Sequence, residues 1–152
     1  MAVSVEQIKS LREKTGLGIH DVKHALEEAD GNEEKAMAIL KEKGLSTVAK
    51  KASRSTNQGL IDTYIHGAGR IGAMVEVNCE TDFVARTDDF KYFVHEIALQ
   101  VASMNPENVD ELLDQPYFRD PSKTVKDLLT DIIAKLGENM KIGRIVRFEL
   151  GE

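Results

Sequence analysis

Between residues 71 and 101 the apolar pattern changes period, and that change limits the folds open to this chain. In Ile71–Cys79, the residues Ala73, Val75, Val77 and Cys79 fall on alternate positions, while Glu76, Asn78 and Glu80 take the other phase. Successive strand side chains point to opposite faces, so this segment is a strand with one dry face. A few residues later Phe90, Phe93, Val94, Ile97, Ala98 and Val101 recur at i, i+3, i+4, i+7, i+8 and i+11. That spacing puts a broad apolar stripe on a helix. A sheet with one dry face needs a covering layer, and such a helix supplies it.

The flanking sequence extends this pattern. Residues 60–65 form the first arm of a hairpin whose turn is His66-Gly67-Ala68-Gly69. Thr87-Asp88-Asp89 suits the N-cap and first turn of the long helix, and Asn105-Pro106 ends it. A short helix over 109–113 and a loop holding Pro116 and Pro121 lead to a second stripe of Val125, Leu128, Leu129, Ile132, Ile133 and Leu136. Gly137 stops that helix, and residues 142–150 read as a final strand. The fold class is α+β, a small antiparallel sheet packed with amphipathic helices.

Ahead of it stands a three-helix module. Ser4 and Gln7 have capping-box spacing before Val5, Ile8 and Leu11. Thr15-Gly16-Leu17-Gly18 separates a second helix with Ile19, Val22, Ala25 and Leu26 on one face. Asn32 caps a third helix carrying Ala36, Ile39 and Leu40, which Lys41, Lys43 and Gly44 are expected to close. Residues 46–58 are polar, contain Lys50, Lys51 and Arg54, and read as a linker that is helical at most in its first half. The expected division is therefore 1–45 for the module, 46–58 for a basic linker and 59–152 for the core. A bundle of roughly 40 residues is marginal alone and gains by packing on a neighbour.

Charge divides along the same line. Residues 1–58 hold ten basic and nine acidic side chains, and 59–152 hold ten and seventeen. The net charge of −6 and a pI near 5.3 argue against direct nucleic-acid binding, which requires a basic surface to displace counterions. No apolar run nears the roughly 18 residues of a membrane span. The N-terminal MAVSVEQIKSLREK carries charges where a signal peptide is apolar. A single cysteine allows no internal disulfide and fits a reducing compartment. The expectation is a cytoplasmic protein.

Enzyme chemistry finds little support. Cys79 with His66 or His95 would make a thiol nucleophile and base, but Cys79 sits on the dry face of a strand, where cysteine behaves as a small hydrophobe. His20 and His24 have helical i, i+4 spacing without the glutamate of a metalloprotease helix. Gly67-Ala68-Gly69 lies inside a hairpin, so it is a turn and not a phosphate cradle. No catalytic residue, metal site or cofactor is expected. The informative segment is VEVNCETDFVAR, residues 75–86. Thr81 and Asp82 read as the end of a strand, and Phe83, which continues the phase of Val75, Val77 and Cys79, reads on pattern alone as a core anchor rather than a contact.

Residues 78–86, NCETDFVAR, resemble the signature N-C-x-T-D-F-V-A-[KR] of the bacterial elongation factor Ts family. Residues 11–36, LREKTGLGIHDVKHALEEADGNEEKA, are similar to that family's N-terminal module, with its T-G-x-G-x-x-D-x-K-x-A-L core at Thr15 to Leu26. Residues 135–144, KLGENMKIGR, resemble its K-I-G-E-N stretch, with Leu136 in place of isoleucine. The three blocks stand in the family's order. The resemblance implies a guanine nucleotide exchange factor, without bond chemistry of its own, for elongation factor Tu in its GDP-bound and nucleotide-free states. It implies that Thr81, Asp82, Phe83 and Val84 bind near the partner's Mg²⁺ and nucleotide, with Phe83 as a wedge. It further implies partner contacts at Lys23, Lys51, Leu136 and Gly137, and a first module like ubiquitin-associated domains.

Long members of that family carry two related core subdomains and a protruding coiled coil, and this chain has room for one core half. It resembles the short members, so a homodimer through the core sheet is expected. An adaptor that binds helices or peptides through its first module is the alternative from another class, and a thiol enzyme at Cys79 is a third.

Overall fold

The computed structural model describes residues 2–152. Helices α1 (Val5–Thr15), α2 (Ile19–Glu28) and α3 (Glu33–Lys51) close on a core of Leu11, Val22, Ala25, Leu26, Ala36 and Leu40. Their ends are set by local chemistry. The Ser4–Gln7 capping box forms, Gly16 ends α1 at φ 67°, and the Asn32 side chain accepts from the Lys35 N–H.

The main core lies under a three-stranded antiparallel sheet in the order β1 (Gln58–His66), β2 (Ile71–Cys79), β5 (Met140–Glu149). Leu60 pairs with Val77, and Met74 with both Thr63 and Val146. Ala73, Val75, Val77 and Cys79 are buried on the inner face against Phe90, Val94, Ile97 and Val101 of α5 (Asp88–Met104). Gly59, at φ 146°, admits no side chain, because a methyl group there would stand 2.0 Å from the Val77 carbonyl oxygen. Two further helices, α6 (Val109–Asp114) and α7 (Val125–Leu136), complete the layer with Leu112, Val125 and Ile133. The outer sheet face is less polar than its Glu76 and Asn78 suggest, since Ile61, Ile65, Met74, Val146 and Phe148 are exposed on it.

Two sequence expectations need correction. Gly44 does not close α3, which continues to Lys51. Gly44 is buried within the helix, where a methyl group would lie 3.5 Å from Thr130 Cγ2 and 3.8 Å from Ala134 Cβ of α7. Its small size brings the first module close to the core. The segment with Pro116 and Pro121 is not a loop but a hairpin, β3 (Pro116–Tyr117) and β4 (Asp120–Thr124). Polar groups of α5 hold it there. Glu96, buried, accepts from the Tyr117 hydroxyl and the Arg119 guanidinium. Gln100 donates to the Pro116 carbonyl at 3.0 Å and accepts from the Phe118 N–H at 2.9 Å.

Candidate functional site

Strand β2 stops at Cys79, and the chain turns through Thr81 into the four-residue helix α4 (Asp82–Ala85). Thr81 adopts extended backbone (φ −124°, ψ 154°), and its hydroxyl accepts from the Val84 N–H at 3.3 Å. That cap breaks the period-2 phase, so Phe83 does not follow Cys79 into the core. Ala85 is buried and Val84 packs against the main core, while Phe83 is 76% exposed. The core-anchor reading of Phe83 is thereby overturned. Asp82, half-buried, lies 3.0 Å from the Arg86 guanidinium.

The turn between α7 and β5 meets this segment. Gly137, at φ 77°, ends α7 and donates to the Ile133 carbonyl at 2.9 Å. The Glu138 carboxylate accepts from the Thr81 N–H at 3.0 Å and from its hydroxyl at 2.7 Å. The Asn139 N–H donates to Glu80 at 2.7 Å, and its side-chain amide donates to the Arg54 carbonyl at 2.8 Å. Lys51 donates from Nζ to the Gly137 carbonyl. Thus Lys51, Thr81, Asp82, Phe83, Val84, Leu136 and Gly137, chosen from distant sequence blocks, gather on one end of the core. Lys23 makes none of these contacts; it is exposed on α2, with Nζ 3.7 Å from Glu27. Glu138, Glu80 and Asn139, which join the two loops, were not singled out from the sequence. All three lie inside two of the motif blocks, but which groups they bond is legible only once the loops are seen together.

The thiol-enzyme alternative loses its geometry. The Cys79 thiol is buried and donates to the Thr81 carbonyl at 3.1 Å. Burial first, then the negative charge of Glu138, pushes its pKa up to about 11, so it stays protonated at neutral pH. His66 pairs with Ile71 at the far end of the hairpin from Cys79 and accepts or donates to the Tyr64 hydroxyl at 2.9 Å. His95 is engaged with Asp62 at 2.9 Å. His20 and His24 are exposed on α2, and His24 lies 3.7 Å from Glu27. Gly67, Ala68 and Gly69 all have positive φ in the strand-to-strand turn. The arrangement presents an apolar knob beside acidic side chains and an exposed helix end, which suits contact with another macromolecule.

Comparison with known proteins points the same way. The sequence profile of a family described as Elongation factor TS matches residues 80–152. A protein named Elongation factor Ts from Thermoanaerobacter sp. (strain X514) is 47% identical over 195 positions, covering 99% of this chain and 96% of its own length. One of the same name from Coprothermobacter proteolyticus is 46% identical, covering both chains completely. Another from Nitratidesulfovibrio vulgaris is 42% identical over 99% of this chain and 98% of its own. An alignment of 195 positions against 152 residues leaves at least 43 positions that this chain does not fill.

Proposed function

The chain belongs to the elongation factor Ts family, and from that premise we propose that it is a guanine nucleotide exchange factor that binds elongation factor Tu and promotes GDP release during translation elongation. The observation that carries the mechanism is the exposure of Phe83 at the tip of a capped turn. A large apolar side chain held in water on a rigid element has binding free energy in reserve. Burying it in a partner contributes about 1.5–3 kcal/mol. Each tenfold loss of nucleotide affinity needs about 1.4 kcal/mol of differential binding, so this one side chain suffices for about one to two decades. Phe83 wedges among the groups that hold the partner's Mg²⁺ and phosphates. Loss of the cation leaves phosphate charge uncompensated and weakens GDP further.

The other residues frame that insertion. Thr81 and Val84 fix the turn, and Asp82 sets an acidic group beside the wedge. Leu136, Gly137 and Lys51 form a second contact on the same end of the core, and Lys23 a third on the first module. In this division residues 1–45 recognise the partner's GTPase domain, 46–58 link, and 59–152 carry the wedge. No bond is made or broken, and the protein works without a cofactor of its own in the cytoplasm. A second copy covers the exposed sheet face of Ile61, Ile65, Met74, Val146 and Phe148, whose contiguous apolar surface is of the kind buried in stable interfaces.

Linkage gives the test. If this chain lowers GDP affinity, GDP must lower the chain's own affinity by the same factor. Gel filtration with nucleotide-free elongation factor Tu is expected to give a stable complex that millimolar GDP dissolves. A complex indifferent to GDP would favour the adaptor alternative.

A further inference from the structure

Phe83 makes the wedge, but nothing about its own side chain holds it in place. It is exposed, and its direction is inherited from the backbone of residues 81–84. A single helical turn of four residues does not sustain itself, because nucleation costs more than one turn returns. Something outside α4 must hold it.

We infer that Glu138 is a positioning residue for exchange, holding Phe83 in its working direction through Thr81. The inference rests on the exchange function proposed above. In a capping box the N-cap hydroxyl accepts from the N–H of the third helical residue, and that residue's own carboxylate or amide returns a bond to the N-cap N–H. In α4 the first half is present, with Thr81 accepting from Val84. The second half has no local source, since the third position holds valine, whose side chain is committed to the core. Glu138, 57 residues away in sequence, takes that role and accepts from the Thr81 N–H at 3.0 Å. Its other oxygen accepts the Thr81 hydroxyl proton at 2.7 Å. With the hydroxyl proton so directed, the oxygen's lone pairs are left to the Val84 N–H, and donation to a carboxylate makes that oxygen a better acceptor.

Glu138 is itself held. It follows Gly137, fixed as the left-handed cap of α7, and precedes Asn139, whose N–H is bound by Glu80. Residues 80–81 and 138–139 are thereby cross-linked in both directions. The same pair of links sets the spacing between Phe83 and the Leu136–Gly137 contact. A partner therefore meets two contacts whose separation is fixed before binding, which lowers the ordering cost of association.

A double-mutant cycle on GDP release from elongation factor Tu, with melting temperatures for every variant, tests this. Glu138→Ala is expected to lower kcat/KM for release at least tenfold. Glu138→Gln should fall between it and wild type, because one amide oxygen serves one Thr81 donor while the NH₂ opposes the other. In the Phe83→Ala background, Glu138→Ala should change release less than twofold, because the side chain that it positions is gone. A merely structural glutamate would lower release by the same factor in both backgrounds, and that result overturns the inference. So does a Glu138→Ala variant that releases GDP as fast as wild type. If Glu138→Ala does not fold, the Glu138→Gln cycle carries the test. A wild-type chain that releases no GDP overturns the exchange function itself.

Discussion

At the scale of single residues, exposure and burial separate the side chains that act outward from those that hold the fold. Phe83 makes so little contact with its own chain that Phe83→Ala should move stability by no more than about 0.5 kcal/mol. The same variant should slow GDP release about tenfold or more, as lost burial of one phenylalanine predicts. Thermal denaturation and release kinetics on one preparation check both halves. Cys79 is the opposite case. Its folded pKa of about 11 exceeds the ordinary 9.0, so folding favours the neutral thiol. Its contribution is intact below about pH 9 and is lost as pH rises towards 11. Stability should fall across that window, less so in Cys79→Ala, and a thiol-exchange reagent at pH 8 should react only after unfolding. The dry face of Ala73, Val75, Val77 and Cys79 was legible from alternation alone. The fate of Phe83 was not, because a hydroxyl cap at Thr81 resets the phase and a four-residue helix leaves no periodicity to read.

At the scale of elements, the helices were legible wherever caps and stripes agreed. α5 and α7 follow their apolar spacing, and Thr87, Asn105 and Gly137 mark their ends as those residue types should. Gly44 misleads for a physical reason. A glycine after two lysines has the composition of a helix end, yet here it is spent on close approach of α3 to α7. The two accounts predict opposite signs. As an interior helical glycine with ordinary van der Waals room for one methyl group, Gly44→Ala should stabilise by about 0.5–1 kcal/mol. At a left-handed C-cap the same change would destabilise. Chemical denaturation of this one variant decides the matter, and Gly44→Leu should destabilise by pushing α3 off α7. The β3–β4 hairpin escaped notice because its ties, Glu96 and Gln100, are polar side chains on a buried helix face. Apolar pattern carries no record of such bonds.

At the scale of the whole molecule, the proposed function brings together an acidic core, a nearly neutral first module and an apolar outer sheet face. Caps, apolar spacing and alternation made the first-module helices and the sheet legible, and the motif blocks supplied every proposed contact residue but Lys51. What joins them, the cross-links of Glu80, Glu138 and Asn139, is a property of the assembled chain. A dimer through the sheet predicts that Phe148→Glu lowers the sedimentation coefficient to that of a monomer at micromolar concentration. A wild-type chain that is already monomeric there would leave the outer face without its second copy. The proposed exchange function stands on catalysis of nucleotide release. The measurement is the release of a fluorescent GDP analogue from elongation factor Tu in excess over this protein. Release is expected to be faster by orders of magnitude, with each copy turning over many partners. Release at the spontaneous rate, from a partner that this chain demonstrably binds, would contradict that function.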